Sequence, residues 1–345
     1  MFEEGLKRWA EETGRRFAVS GLEVLSEVRQ RLGAMREGGQ IEPDFFLENL
    51  SGFRYLDDLG VEDPEAVLMV SVPAPAHVVA FELGSGPVDG IFPPTYVRYR
   101  ALFEDILKEL RKALGRGAAI GILKAPLKSL SVRMGLAKYG RNNVTYVPGF
   151  GSYHQLCGYV VGGEAGKRLR KAFGRPAPEP FETSLDLCGT CRACLKACPT
   201  GAIRRDRFLI SAEKCYTLYS ERGGALPDGL PMAASACLVG CLACQEACPE
   251  NRGKLKHERM DVAFTKAETD VLLELGRREA AGEGSESAGE GHGACGPAPA
   301  GIPPGLWASI VAKFERLDVS ESIGSMGRNL EMCRRTLGAP NARHS

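Results

Sequence analysis

The chain has 345 residues, with 44 Lys and Arg against 43 Asp and Glu, and 44% of its residues are hydrophobic. At about 100 to 200 residues per domain this allows two or three domains, and the near-zero charge excludes a whole-molecule field that would gather nucleic acid or an anionic membrane, while still permitting a tRNA partner. No stretch approaches the roughly 20 apolar residues of a membrane helix, and MFEEGLKRWAEETGRRF has no apolar core behind a basic start, so the expectation is a cytoplasmic protein with no membrane contact.

In chain order, Leu6, Trp9, Phe17, Leu22, Leu25, Val28 and Leu32 predict two amphipathic helices in residues 1–39, broken around Ser20 and Gly21. Residues 40–166 read as an α/β domain. It opens irregularly from Glu42 to Asp63, and then AVLMVSV (Ala66 to Val72) and HVVAFEL (His77 to Leu83) are buried strands. Pro93 and Pro94 mark a turn, and Thr95 caps a helix carrying Val97, Leu102, Ile106, Leu110 and Leu114. Strands at 118–123, 144–147 and 156–161 and a helical stretch at 126–135 complete it. A basic, proline-rich linker occupies 167–183, a cysteine module 184–254, and a helical tail 255–345, with helices at 262–279 and 304–337. The tail holds an insert at 280–305 whose Gly, Ala, Ser, Glu and Pro can bury almost nothing, and which is expected to be mobile.

Twelve cysteines in a chain without a secretion signal point to metal, because nine of them cluster between Cys188 and Cys248. CGTCRACLKACP (Cys188 to Pro199) has the spacing C-x2-C-x2-C-x3-C-P, and CLACQEACP (Cys241 to Pro249) has C-x2-C-x3-C-P. A tight loop of this spacing presents three thiolates to three corners of a cubane, and the fourth cysteine ligates the other cluster. Two [4Fe-4S] clusters are therefore predicted. One takes Cys188, Cys191, Cys194 and Cys248; the other takes Cys198, Cys241, Cys244 and one more, for which Cys215 and Cys237 are equal candidates by spacing. Zinc also uses C-x2-C pairs, but the triple run and the repeated C-P favour clusters. Two filled clusters make a wire, which needs a donor on one side and an acceptor on the other, and the N-terminal domain is the place for the acceptor.

CGTCRACLKACPTGAI (Cys188 to Ile203), Cys215 with Tyr216, Thr217 and Leu218, and GCLACQEACPENR (Gly240 to Arg252) resemble the epoxyqueuosine reductase family, whose relatives include the corrinoid reductive dehalogenases. The resemblance implies Cys215 as the remaining ligand. It also implies the fold class: an α/β N-terminal domain plus a ferredoxin-like two-[4Fe-4S] module and a short helical C-terminal region. KAPLKSLSVRMGLAKYGRNN (Lys124 to Asn143) is similar to the family segment that lies against cobalamin, with Gly135, Gly140, Arg141 and Asn142 as cofactor-binding candidates. The family's proton-donating Asp matches Leu123, and a nearby Glu matches Ser129, so both carboxylates are replaced. Lys124, Tyr139 and Arg141 are the candidate substitutes, with Lys128 beside them.

The resemblance implies an iron–sulfur oxidoreductase passing electrons to a corrinoid or another acceptor. One alternative is a non-catalytic electron-transfer protein that activates a partner's corrinoid, and another is a true tRNA epoxyqueuosine reductase. The expected partners are a low-potential donor such as ferredoxin or flavodoxin, and a corrinoid protein. His154, Tyr146, Tyr153 and Cys157 read as structural; Cys295 and Cys333 receive no role. The basic runs KRLRK, RRDR and RGKLKHER read as solvated faces.

Overall fold

The computed structural model describes residues 2–56, 59–115, 117–174, 184–206, 208–227, 230, 237–282, 297–319 and 323–337. The N-terminal part runs α1 (Phe2–Glu12), β1 (Arg16–Ser20), α2 (Glu23–Glu37), α3 (Pro43–Asn49), β2 (Pro64–Pro73), β3 (Ala76–Leu83), β4 (Gly86–Phe92) and α4 (Tyr99–Leu114). It continues through β5 (Ile120–Ile122), α5 (Leu127–Arg133), β6 (Lys138–Tyr139), β7 (Thr145–Tyr146), β8 (His154–Gly162) and α6 (Gly163–Phe173). The cysteine module contributes the short helices α7 (Ala193–Ala197), α8 (Tyr216–Glu221) and α9 (Ala243–Glu246), and the tail β9 (His257–Phe264), α10 (Lys266–Ala280), α11 (Pro304–Leu317) and α12 (Ile323–Leu337).

The main sheet has the order β1-β2-β8-β5, and each of its pairs is antiparallel. Its central strand β2 buries both faces, as the run AVLMV requires. Ala66, Leu68 and Val70 pack with α1 and α4 through Leu6, Trp9, Phe103, Ile106 and Leu110, while Val67 and Met69 pack on the other face with Val24, Leu25, Val28 and Leu130. Tyr159 fills the first face and donates its hydroxyl to the Phe103 carbonyl at 2.9 Å. Cys157 lies in the same layer, where burial pushes its thiol up to about 12, the value of a packing residue.

A second core is built around the sheet β4-β3-β9, in which β9 of the tail lies parallel to β3. Val79, Phe81 and Phe92 from the N-terminal part pack there with Leu238 and Val239 of the cysteine module and with Phe264, Leu272, Phe314 and Leu330 of the tail. Phe81 stacks on Phe264 with centroids 4.8 Å apart. The tail is therefore built into the molecule rather than appended to it.

Several sequence expectations are corrected. Residues 16–20 form a strand instead of helix, because Arg16 to Ser20 pair antiparallel with Ser71 to Val67 of β2. Residues 43–49 are helical within the stretch expected to be irregular, and the β4 strand was not expected. The helix expected from Thr95 starts at Tyr99, after Arg98 at φ 55°. The first residues of the linker, Lys167–Phe173, belong to α6, and 262–264 are strand. The tail helix expected over 304–337 is two helices. Most of the expected mobile insert, with Cys295, lies outside the described residues, as does the linker from 175 to 183. Among the described residues no helix is long and apolar enough to cross a membrane.

The tail core contains a buried acid. Glu268, 2% exposed, accepts hydrogen bonds from Ser309 Oγ at 2.6 Å, Lys313 Nζ at 2.5 Å and the Thr265 backbone N–H at 2.7 Å, in a capping box that starts α10. Burial works to raise its pKa, but these donors, Lys313 first, hold it at about 2. A folded value below the ordinary 4.5 gives stability that is present above 4.5 and lost as pH falls toward about 2. Glu268→Gln should therefore lower the urea midpoint at pH 7, and the gap from the unaltered chain should narrow at pH 3.

Candidate cluster and cofactor site

The cysteine module starts on the β6–β7 hairpin. Lys138 pairs with Tyr146 and Tyr139 with Thr145, and Asn143 at φ 58° closes the loop, a left-handed position that asparagine tolerates. The backbone N–H of Leu185 then donates to the Tyr139 carbonyl at 2.9 Å, so the strand that ends the hairpin's first arm also holds the start of the cysteine loop.

Around a small cavity bordered by this hairpin stand Cys188, Cys191, Cys194 and Cys248, with Gly140, Arg141, Asn142 and Tyr146 on its other wall. Burial raises the Cys194 thiol, and Cys188, Cys191 and Cys248 around it raise it further. A second group adjoins the first. Cys244, raised by burial and then by Cys241, also feels Cys215 and Cys194, and Cys215, raised by burial, feels Cys198. Cys198 departs from Cys194, Cys215 and Cys244. Burial opposes its ionisation, but N–H groups of Ile203, Thr200 and Ala202 and the Thr200 hydroxyl hold it below the ordinary thiol value. Cys237 lies elsewhere, packed with Ala76, Tyr153 and Leu242 and with its carbonyl 3.7 Å from the Cys333 thiol.

The donor chemistry fits clusters. Cys188, Cys191, Cys194 and Cys248 border one cavity, and N–H donors are already aimed at sulfur: the Arg141 backbone N–H at Cys188 Sγ, 3.4 Å, and Asn142 Nδ2 at Cys244 Sγ, 3.6 Å. Arg141 also donates to the Cys188 carbonyl. Its Nε–H is buried with no partner among the described residues, which suits a donor facing the sulfides of a bound cluster.

Beside the second cysteine group opens a cavity of about 910 Å³, at the upper end for small-molecule and cofactor sites. Its walls are mostly apolar, with Leu32, Phe45, Phe53, Phe103 and Leu127 among them. Phe208 to Ile210 and Ala212, just ahead of Cys215, form one side. The family segment contributes Leu123, Lys124, Lys128, Ser129 and Tyr139 to the lining. Ser129 Oγ and the Tyr139 hydroxyl are 3.1 Å apart, and Tyr139 packs edge-on against Phe208. Lys128 opens into the cavity and donates to the Asn143 carbonyl at 3.4 Å.

The structure thus divides the residues singled out in the sequence. Lys124 and Tyr139 line the large cavity, whereas Arg141, Asn142 and Gly140 face the cysteines. Gly135, at φ 72°, follows the end of α5 as a turn residue. His154 is saturated, with Nδ1 3.2 Å from the Gly151 carbonyl and Nε2 3.2 Å from Thr145 Oγ1, and burial lowers it to about 4. The basic runs are largely paired: Lys167 and Arg170 with Glu65, Arg204 with Asp206, Lys254 with Glu250 and Arg259 with Asp89. Sequence reasoning missed Glu42 and Glu104, which come to the cavity from the N-cap of α3 and from α4; nothing in their local sequence signals it.

Residues 187–251 match the family of 4Fe-4S double cluster binding domains. The epoxyqueuosine reductase of Bacillus subtilis is 28% identical over 185 residues, 52% of this chain and 44% of its own length. That of Cyclobacterium marinum is 31% identical over 168 residues, 46% of this chain and 50% of its own. Over these stretches the chain is similar to the epoxyqueuosine reductases. It carries the double [4Fe-4S] module and aligns with about half the length of these curated relatives. The fold agrees across the molecule, since the solved structure of the Bacillus subtilis enzyme superposes with a TM-score of 0.62 at 20% identity, covering 97% of this chain and 81% of that one. An epoxyqueuosine reductase solved with an epoxyqueuosine-modified tRNA stem loop gives 0.56 at 19% identity, with the same coverage.

Proposed function

We propose that this chain is an iron–sulfur oxidoreductase that draws electrons through two [4Fe-4S] clusters to a corrinoid in the 910 Å³ cavity. Cys188, Cys191, Cys194 and Cys248 hold the first cluster, and Cys198, Cys215, Cys241 and Cys244 the second. The observation that carries the reading is the order of sites: the second cysteine group adjoins the cavity through 208–212, while the first lies beside exposed Leu187 and Asp186, where a ferredoxin- or flavodoxin-like donor would dock. A corrinoid supplies a low-potential cobalt centre when bound. The chain's own residues would seat its apolar face on Leu32, Phe103 and Leu127, exclude water, and offer protons from Lys128 and from the Tyr139 hydroxyl beside Ser129.

The test is the EPR spectrum of the reconstituted full chain with one equivalent of cob(II)alamin, before and after dithionite. A shift of the cobalt signal to a base-off form is expected. Ile122→Trp, at a 39% exposed cavity position, should abolish that shift while iron content stays unchanged. An unaltered cobalt signal beside two reducible clusters would instead support a carrier that reduces a partner's corrinoid. That second reading is favoured by Leu123, 4% exposed where the family has its acid. Restoration of queuosine in a deficient strain would identify a true tRNA epoxyqueuosine reductase.

A further inference from the structure

The β6–β7 hairpin belongs to the N-terminal domain, yet its loop reaches both cysteine groups at once. Asn142 and Tyr146 are 4% and 3% exposed, and Asn142 Nδ2 donates to the Tyr146 hydroxyl at 3.0 Å. With that lone pair occupied, the Tyr146 O–H is left to donate into the small cavity that Tyr146 lines together with Cys188, Cys191, Cys194 and Cys248. The other amide hydrogen of Asn142 points to Cys244, whose carbonyl lies at 3.5 Å and Sγ at 3.6 Å. Cys248 belongs to the first group and Cys244 to the second.

Gly140 makes this arrangement possible. A Cβ there would stand 2.5 Å from Asn142 Oδ1 and 2.5 Å from the Tyr146 ring, so only glycine lets the pair lie against the turn. Asn142 Oδ1 takes the Val144 N–H at 3.4 Å, which leaves both of its amide hydrogens for the hydroxyl and the sulfur.

We propose that Asn142 and Tyr146 form a potential-setting bridge between the two clusters, holding both at higher potential than the cysteine module would give alone. The inference rests on the cluster assignment proposed above. Hydrogen bonds to cluster sulfurs favour the reduced, more negative state and raise its potential. Each cluster takes up one electron, going from the 2+ to the 1+ state. In the chain the electron moves from the reduced first cluster, which returns to 2+, to the second, which becomes 1+. The external reductant is the donor or, in the test, dithionite.

The experiment is an EPR-monitored redox titration of the reconstituted full chain and of Tyr146→Phe, Asn142→Ala and Asn142→Gln, with iron and sulfide counted on the same samples. Tyr146→Phe should keep both clusters and lower the potential of the Cys248 cluster by a tenfold change in its one-electron equilibrium, about 59 mV. Asn142→Ala should lower both clusters, and Asn142→Gln should recover part of the shift. Unchanged potentials in Tyr146→Phe with iron content intact would overturn the proposal. Absence of two clusters from the unaltered chain would overturn the cluster assignment itself, a failure seen in the iron count before any potential is read.

Discussion

Cys215→Ala should cut the iron bound by the reconstituted chain from about eight atoms to about four, whereas Cys237→Ala should leave it unchanged. Spacing treats the two cysteines alike. The fold separates them: Cys215 stands beside Cys198 and in the field that acts on Cys244, while Cys237 is packed among Ala76, Tyr153 and Leu242 and joined to Ile91 by a β-bridge. The remaining cluster in Cys215→Ala should keep its reducible EPR signal, since Cys188, Cys191, Cys194 and Cys248 are untouched. Iron loss in Cys237→Ala, with Cys215→Ala intact, would reverse the assignment.

Gly276→Ala and Gly327→Ala should each destabilise the chain by about 2 to 3 kcal/mol, although alanine is the better helix former by about 1 kcal/mol. α10 and α12 touch backbone to backbone at these residues. A Cβ on Gly327 would lie 2.0 Å from the Leu272 carbonyl oxygen, and one on Gly276 would lie 2.2 Å from the Arg328 nitrogen, and neither neighbour is a flexible side chain. The damage should reach the clusters. Asn329 Nδ2 donates to the carbonyls of Ser220 and Leu238 at 2.8 and 2.7 Å, and Arg328 donates to that of Tyr219 at 2.8 Å, so α12 clasps the segments on either side of the second cysteine group. Iron should therefore be lost first from that site. Gly33→Ala is the control: it lies within α2 with nothing near its would-be Cβ, and should stabilise by about 0.5 to 1 kcal/mol. Urea unfolding with iron counted before and after reads both effects.

The cluster chemistry was legible because cubane ligation compresses into short spacings, and two such runs lie within 61 residues of one another's ends, Cys188 to Cys248. The strands of β2 and β8 were legible for the same local reason, an unbroken apolar run. What could not be read is what depends on distant pairing. Residues 16–20 carry a helical spacing of apolar side chains only until β2 is placed beside them, and the last three residues of β9, 262–264, read as the start of a helix until β3 supplies their pairing. The role of KYGRNN was only half visible: the resemblance brought it to the cofactor, and the fold brings Arg141 and Asn142 to the cysteines while leaving Tyr139 at the cavity.

The parallel pairing of β3 with β9 also governs how the molecule comes into being. Its partners are about 180 positions apart, an extreme sequence separation that slows native pairing. During synthesis the β3–β4 hairpin must therefore wait, with Val79, Phe81 and Phe92 uncovered, until the whole cysteine segment and the tail strand have emerged. The cysteine segment is inside the loop that this last pairing closes. Iron delivered before the tail docks meets open thiols; iron delivered afterwards must enter a closed body, so late metallation should proceed more slowly than metallation of the nascent chain.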